Sequence, residues 1–515
     1  MTHTLDTQIP AARPLRRDLT AVAVLAFIVA SMAPLMVNAG VNTTAIATTG
    51  LTGLPLVYVV VGVVLVLFIP GYLAATRRLS GSPGAFYAIA ARGFSRSVAL
   101  GAGFIALIAY GALFVGLFGV WGATVAPQLS TLTGLPLHPW HVMVAAWVVV
   151  LICGLLRVEL TGWVVTVLLA AEIAFVVVAD LVMFAHPFGG RPQWHSWDVS
   201  QVTAGTNGGF GAAFCICFLA IIGIEGGAVL HTESRQGYRT VRRGTTAAAV
   251  VIVALYLVSS WAMAWSAGDS HLVARAGSEQ TGLLFNLAGP YLGPVITDAG
   301  TVLLDTSIFI GMLGFSTFWA RYAYAMSREG LLPSGLSRTR PKAGVPAGAI
   351  FTLMGLALAV IGLWSLMHWD PLVTLFYWGG TFGGFGIMVL FAITAVSVVG
   401  YYARRPHRRR ADSIWVRLVL PLLAAVTLIV AVVLAVSNYD VMLGVSSSDP
   451  LRWILPGVFA ATLIVCAIVG LVLRATRPDA YSRIGLGDDA DTGIDERADL
   501  DDEHDGAAAG GQVTA

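Results

Sequence analysis

Apolar residues in this chain fall in long runs. Twelve of them reach the length that crosses a bilayer, about 20 residues at 1.5 Å each. They lie at roughly 20–46, 53–76, 98–126, 139–156, 160–185, 208–231, 244–267, 291–320, 346–368, 371–402, 415–438 and 451–475. Polar stretches separate them. The pattern predicts an all-α polytopic membrane protein with twelve transmembrane helices, flanked by a segment 1–18 and a tail 478–515. Composition agrees: 57% of the 515 residues are apolar and only 11% are charged, where soluble domains carry about a quarter. The mean hydropathy of +0.80 excludes a soluble globular fold.

The charges test the helix count, because basic residues collect on the cytoplasmic side. With Arg13, Arg16 and Arg17 placed inside, the loops after even-numbered runs hold nearly all the other basic residues, from Arg77 and Arg78 to the cluster Arg408, Arg409 and Arg410. Only Arg191, Arg275 and Arg452, of 30 basic residues, fall on the other side. An odd count would destroy this alternation, so a multi-pass cell-membrane protein with both termini in the cytoplasm is expected. The tail from Pro478 holds 11 of the 28 acidic residues and few large apolar ones. It cannot bury a core, and disorder is expected there. Residues 1–18 are polar and precede an apolar run too long for a signal peptide, so no cleavage is expected.

Two runs carry polar or breaking residues at depth. The first contains Ser31, Met32, Ala33 and Pro34, then Asn38. Proline removes a backbone donor and clashes with the preceding turn. The sixth carries Glu225 among Gly223, Gly226 and Gly227. Glycine weakens a helix by about 1 kcal/mol, and a carboxylate in hydrocarbon costs ~2.5–3.5 kcal/mol on insertion scales. Interrupted helices at corresponding places in two halves point to a binding site at the membrane midplane. Runs 1–5 (about 19–185) and 6–10 (about 207–402) are therefore read as inverted repeats, with two further helices at about 415–475. A broken helix offers free N–H groups to a carboxylate and free carbonyls to an ammonium, which together suit a zwitterion.

Other acids lie at depth: Glu172, central in the fifth run, and Asp305 in the eighth. Glu172 and Glu225 are the candidates for proton coupling; Asp180 and Asp298 are read as interfacial. The four cysteines sit in apolar runs, the histidines show no ligand spacing, and no HExxH or Walker-type loop is found. No metal, cofactor, nucleic-acid partner or enzymatic activity is expected.

Four stretches resemble the amino acid–polyamine–organocation (APC) superfamily of permeases. IIGIE (Ile221 to Glu225) is similar to its F-x-G-F-E motif. RYAYAMSREGLLP (Arg321 to Pro333) is similar to R-Y-x-x-A-x-x-R-D-G-x-L-P. SPGAFYAIAARGF (Ser82 to Phe94) resembles the segment after the second helix, and KAGVP (Lys342 to Pro346) the proline before the ninth. The resemblance implies a five-plus-five inverted-repeat fold like that of leucine-type transporters, with the first and sixth helices broken, and a substrate that is an amino acid or amine. It places Ser31, Met32, Ala33, Pro34 and Leu35, and Ile222, Gly223, Ile224 and Gly226, at the two unwound stretches, with Tyr110 and Phe315 lining or gating the substrate. SMAPL replaces the usual G-S-G-I-F in the first helix. Glu172 stands where some proton-coupled relatives carry a lysine. The expected activity is secondary transport by alternating access, as a proton symporter or, alternatively, an amino acid/amine exchanger.

Overall fold

The computed structural model describes residues 21–77, 85–156, 162–203, 209–226, 238–340, 345–404 and 413–486, and every regular element among them is helical. The N-terminal segment 1–18, most of the loop that follows the sixth run and the acidic stretch from 487 lie outside the described residues. The principal helices are α1 (Ala21–Ser31), α2 (residues 34–49), α3 (Leu54–Thr76), α4 (Ala85–Gly93), α5 (Arg96–Thr133), α6 (Pro139–Leu156), α7 (Gly162–Ala185) and α8 (Gly209–Leu219). They continue with α9 (Tyr238–Ala267), α10 (Asp269–Glu279), α11 (Leu283–Leu292), α12 (Pro294–Arg328), α13 (Ala347–Met367), α14 (Pro371–Arg404), α15 (Trp415–Ser437), α16 (Leu451–Thr476) and α17 (Pro478–Arg483). Each apolar run contains helix among its described residues. Among the described residues nine helices are long and apolar enough to cross a membrane: α3, α5, α7, α9, α12, α13, α14, α15 and α16. α6 and α8 are apolar but shorter, and the first run is split into α1 and α2.

Local chemistry sets the ends. Ser95 starts α5, its hydroxyl oxygen accepting the Val98 N–H at 3.1 Å, and Gly134 ends it in the left-handed conformation at φ 71°. Asp370 starts α14 by accepting the Val373 N–H at 2.8 Å, with Pro371 next. α5 has 38 residues, about 57 Å of helix. That exceeds a hydrocarbon core of ~30 Å, so α5 extends beyond it, and it packs against α12, α14, α16 and α6. Exposed valines, among them Val63 and Val66 on α3, mark outward faces. Exposed tryptophans, among them Trp140, Trp194, Trp369, Trp415 and Trp453, lie at or near helix ends, the level at which aromatic belts form.

Three features depart from the sequence reading. The stretch after α3, expected as a loop, contains α4, which packs on α14. There the backbones touch: a Cβ at Gly93 would lie 1.9 Å from the Ser397 carbonyl oxygen, so no larger residue fits. The polar stretch before the eighth run folds as α10 and α11. On α10 the Arg275 guanidinium, hydrogen-bonded to Glu279 at 2.5 Å, holds that carboxyl below its usual range. Burial pushes the Asp269 carboxyl up, and both its oxygens are occluded without a hydrogen-bond partner among the described residues.

Lastly, the tail does not lose structure at Pro478. α17 is followed by Ile484 and Leu486, both buried, so an expected disordered segment could begin only after them. The Gly485 N–H donates to Glu329 Oε1 at 3.1 Å, just past α12, and the Tyr87 hydroxyl on α4 donates to Glu329 Oε2. Gly485 has φ 86°, and a Cβ there would meet the Ala91 Cβ at 2.3 Å. Residues 484–486 are thus hooked onto α4 and the end of α12.

Candidate functional site

The first break is written in Ala33-Pro34. A residue before proline is pushed out of the helical region, and Ala33 adopts φ 47°, ψ 68°. Proline then suits the first turn of the new helix, where its missing N–H is no loss. α1 closes on itself: Met32 N–H donates to Val29 O at 3.2 Å, Ala33 N–H to Ala30 O at 3.0 Å, and the Ser31 hydroxyl to Ile28 O at 2.7 Å. Within α2, the Asn38 amide donates to Pro34 O at 3.1 Å, the Asn42 amide to Asn38 Oδ1 at 2.9 Å, and the Tyr58 hydroxyl to Asn42. That ladder stiffens a half-helix which is π-wound over Val37–Val41.

The second break follows α8. Residues 220–226 form successive turns, with Ala220, Ile221 and Ile222 N–H groups each bonding three residues back at 3.2 Å. Gly223 sits at φ 122°, and a Cβ on it would lie 2.7 Å from the Ser31 hydroxyl. Glycine is therefore required both for the conformation and for the contact between the two breaks.

Each break holds one of the two glutamates. Glu225 is buried; its Oε1 accepts from the Tyr110 hydroxyl at 2.6 Å and its Oε2 from the Gly223 N–H at 2.9 Å. Its backbone carbonyl accepts from the Tyr72 hydroxyl at 3.2 Å. Glu172 is 2% exposed, and its Oε2 accepts from the Ser307 hydroxyl on α12 at 2.7 Å. The Leu35 N–H also donates to Glu172, and the Met36 N–H reaches Ser307 Oγ at 3.4 Å. The free N–H groups of the α2 N-terminus are thus engaged by a carboxylate of the chain itself. Tyr256 on α9 completes the ring, its hydroxyl donating to the Met32 carbonyl at 3.3 Å.

Between the breaks lies a cavity of about 40 Å³, room for roughly three waters. Of the residues expected at the site, Ser31, Met32, Ala33, Ile222 and Phe315 line it. Pro34, Leu35, Gly223, Ile224, Gly226 and Tyr110 do not; Tyr110 and Gly223 hold Glu225 instead, and Tyr110 packs beside Phe315 with ring centroids 6.3 Å apart. The rest of the wall escaped the sequence reading: Met36, Val37, Val41, Leu113, Leu117, Leu219 and Phe376, with Gly116, Gly311 and Gly380 between them. Apolar residues inside apolar runs carry no flag. The paired glycines of α14, Gly379-Gly380 and Gly383-Gly384, were the one available signal of close approach. Asp180 is 3% exposed, enclosed between α7 and α9, where Ser259 donates to its Oδ2. Asp298 is exposed.

The sequence model of the amino acid permease family matches residues 19–459. The chain belongs to that family. This permease lies within the APC superfamily, as the motifs implied. It is 27% identical over 253 residues to the branched-chain amino acid permease BcaP of Bacillus subtilis (strain 168), an alignment covering 48% of each chain. It is 27% identical over 197 residues to BcaP of Lactococcus lactis subsp. cremoris (strain MG1363), covering 37% of this chain and 39% of that one. The permease thus spans about half the length of the first relative and less of the second. Its fold is similar to the crystal structure of the Eremococcus coleocola manganese transporter, with a TM-score of 0.54 at 13% identity, covering 88% of this chain and 94% of that one.

Proposed function

We propose that this permease is a secondary transporter, not an enzyme, and moves a neutral amino acid with an aliphatic side chain across the cytoplasmic membrane. The observation that carries this reading is the cavity between two interrupted helices, whose wall is apolar except for Ser31. Backbone groups at the breaks suit the charged ends of an amino acid once the side chains that now hold them, Glu172 and Tyr256 among them, give way. Val37, Val41, Leu113 and Leu117 suit a branched hydrocarbon side chain, and no charged side chain lines the cavity. The relatives' name, branched-chain amino acid permease, supports the same substrate class. The cavity is smaller than an amino acid, which fits a closed state of an alternating-access cycle. The proposed architecture is twelve spans, two inverted five-helix repeats plus α15 and α16, with both termini in the cytoplasm.

We propose proton symport as the coupling. Glu172 and Glu225 each bind one of the breaks through a carboxylate, so a proton arriving on either changes what holds that break. Purified protein in liposomes tests this. Accumulation of leucine, isoleucine or valine that requires an inward proton gradient, and is lost in Glu172→Gln or Glu225→Gln, is the expected result. Transport only against preloaded amino acid, indifferent to the gradient, identifies an exchanger. Uptake of charged amino acids in preference to aliphatic ones overturns the substrate reading.

A further inference from the structure

One buried acid has no part in the site described so far. Asp180 lies eight residues beyond Glu172 on α7, about 12 Å along the helix axis. Its Oδ2 accepts from the Ser259 hydroxyl at 2.7 Å, while Oδ1 is buried and has no hydrogen-bond partner among the described residues. Buried polar atoms are nearly always paired, and one that is not calls for an explanation. A carboxyl oxygen in that position can take up a proton and hand it on.

The elements around Asp180 present no charge to it. α1 and α11 bring no acidic or basic side chain to α7. α12 brings the exposed Asp298 and Asp305, and the latter is hydrogen-bonded to Thr124 and Gln128 on α5. α9 brings hydroxyls, Ser259 and, one turn away, Tyr256. Tyr256 is itself an electrostatic neighbour of Glu172 and donates to Met32 at the first break. Along the α7–α9 contact two hydroxyls, Ser259 and Tyr256, thus lie between two acids, Asp180 and Glu172.

We propose that Asp180 is a proton station that feeds Glu172 along the contact between α7 and α9, a role that rests on the proton-symport reading above. In each step one O–H bond breaks as the next forms. The Asp180 carboxyl gives its proton to Ser259, which gives its own onward. A water spans the single turn to Tyr256, accepting one proton as it releases another, and Tyr256, whose hydroxyl donates to the Met32 carbonyl in this structure, turns to Glu172, passes its proton and is refilled. The net change is one proton gained by Glu172 and one lost by Asp180, which reloads from the side of the loop at residues 186–203. Hydroxyls and water act as donor and acceptor at once, which the apolar neighbours cannot.

The test separates proton delivery from substrate handling. Asp180→Asn, Ser259→Ala and Tyr256→Phe are reconstituted with a pH dye inside the vesicles. Leucine counterflow, which needs no net proton movement, is measured beside leucine-driven proton entry. The expected result is proton entry slowed at least ~10-fold in Asp180→Asn, its external-pH profile moved to lower pH, and counterflow within about two-fold of the parent. Ser259→Ala slows proton entry less and keeps counterflow, whereas Tyr256→Phe, which also loses the bond to Met32, is read as protons entering per leucine moved. Where Asp180→Asn fails to reach the membrane, the other two decide. Unchanged proton entry and pH profile in the variants, with a parent that carries protons, overturn the relay alone. A parent that moves leucine without protons overturns the relay together with the symport reading.

Discussion

Gly380→Ala probes the cavity most directly. A Cβ at this position would meet only Leu219 Cδ2, at 3.5 Å, an ordinary contact, and Gly380 lines the cavity. The added methyl therefore fits without moving backbone and takes about one of the roughly three water-sized places that 40 Å³ supplies. Helical glycine to alanine gains up to about 1 kcal/mol of intrinsic propensity, so the fold is not weakened. What changes is the room for the substrate side chain. One methylene in an apolar pocket is worth about 1–3 kcal/mol, or ~10–200-fold in discrimination. The variant is expected to lose leucine and isoleucine by that factor relative to alanine, with valine between them. Competition by each amino acid against radiolabelled alanine uptake in proteoliposomes measures the ratio, and the melting temperature in detergent controls for folding. Equal loss for alanine and leucine, or unchanged leucine affinity, would refute the placement of the side chain in this cavity. Gly116→Ala is the contrast. Its Cβ would press on the Leu375 carbonyl oxygen at 3.0 Å, backbone rather than side chain, and stability is expected to fall for every substrate alike.

Three further outcomes are expected. Tyr110→Phe removes a hydrogen bond of 2.6 Å to Glu225, worth about 0.5–1.5 kcal/mol; in a cycle with Glu225→Gln, melting temperatures should be non-additive, and simple additivity argues against the contact. Deleting residues 478–515 removes buried Ile484 and the Gly485 donor to Glu329, and should lower thermal stability by roughly 2–4 kcal/mol, whereas deleting 487–515 alone should leave it unchanged; equal effects of the two deletions defeat the hook. For Asp269 the sign is that of an acid raised from 3.8 by burial: its cost to the fold is absent below that value, grows as pH rises through the raised value, and is constant above. Asp269→Asn should therefore melt higher than the parent at pH 7 and no higher at pH 3.5, and a pH-independent difference contradicts the assignment.

The helices were legible because twenty-residue apolar runs admit few other structures, and the breaks because Ala33-Pro34 and Gly223 restrict the backbone locally. α4 was not: SPG at its start reads as a turn, and its burial depends on Gly93 meeting Ser397, some 300 residues away. α10 and α11 lie in a stretch whose polarity resembles a loop until Arg275 pairs with Glu279. The glutamates were visible as charges in apolar runs, but not their partners, since Tyr110 and Ser307 look like many other hydroxyls. The wall of the cavity was the least legible part. Val37 and Phe376 differ from core or lipid-facing residues only by which way they point. The serine that meets Asp180 was invisible for the same reason, because nearness to the end of a run says nothing about the adjoining helix.

The hook at Gly485 bears on how the molecule is made. α4 and α12 leave the ribosome well before residues 484–486, and membrane chains are built from the N-terminus onward. Tyr87 and Glu329 must therefore be in place, at a corner lacking its final wedge, while the last helices are still being added. Closure waits for residues 484–486, which are made after every span. A product cut short anywhere before Ile484 leaves that corner open, whatever the state of its spans.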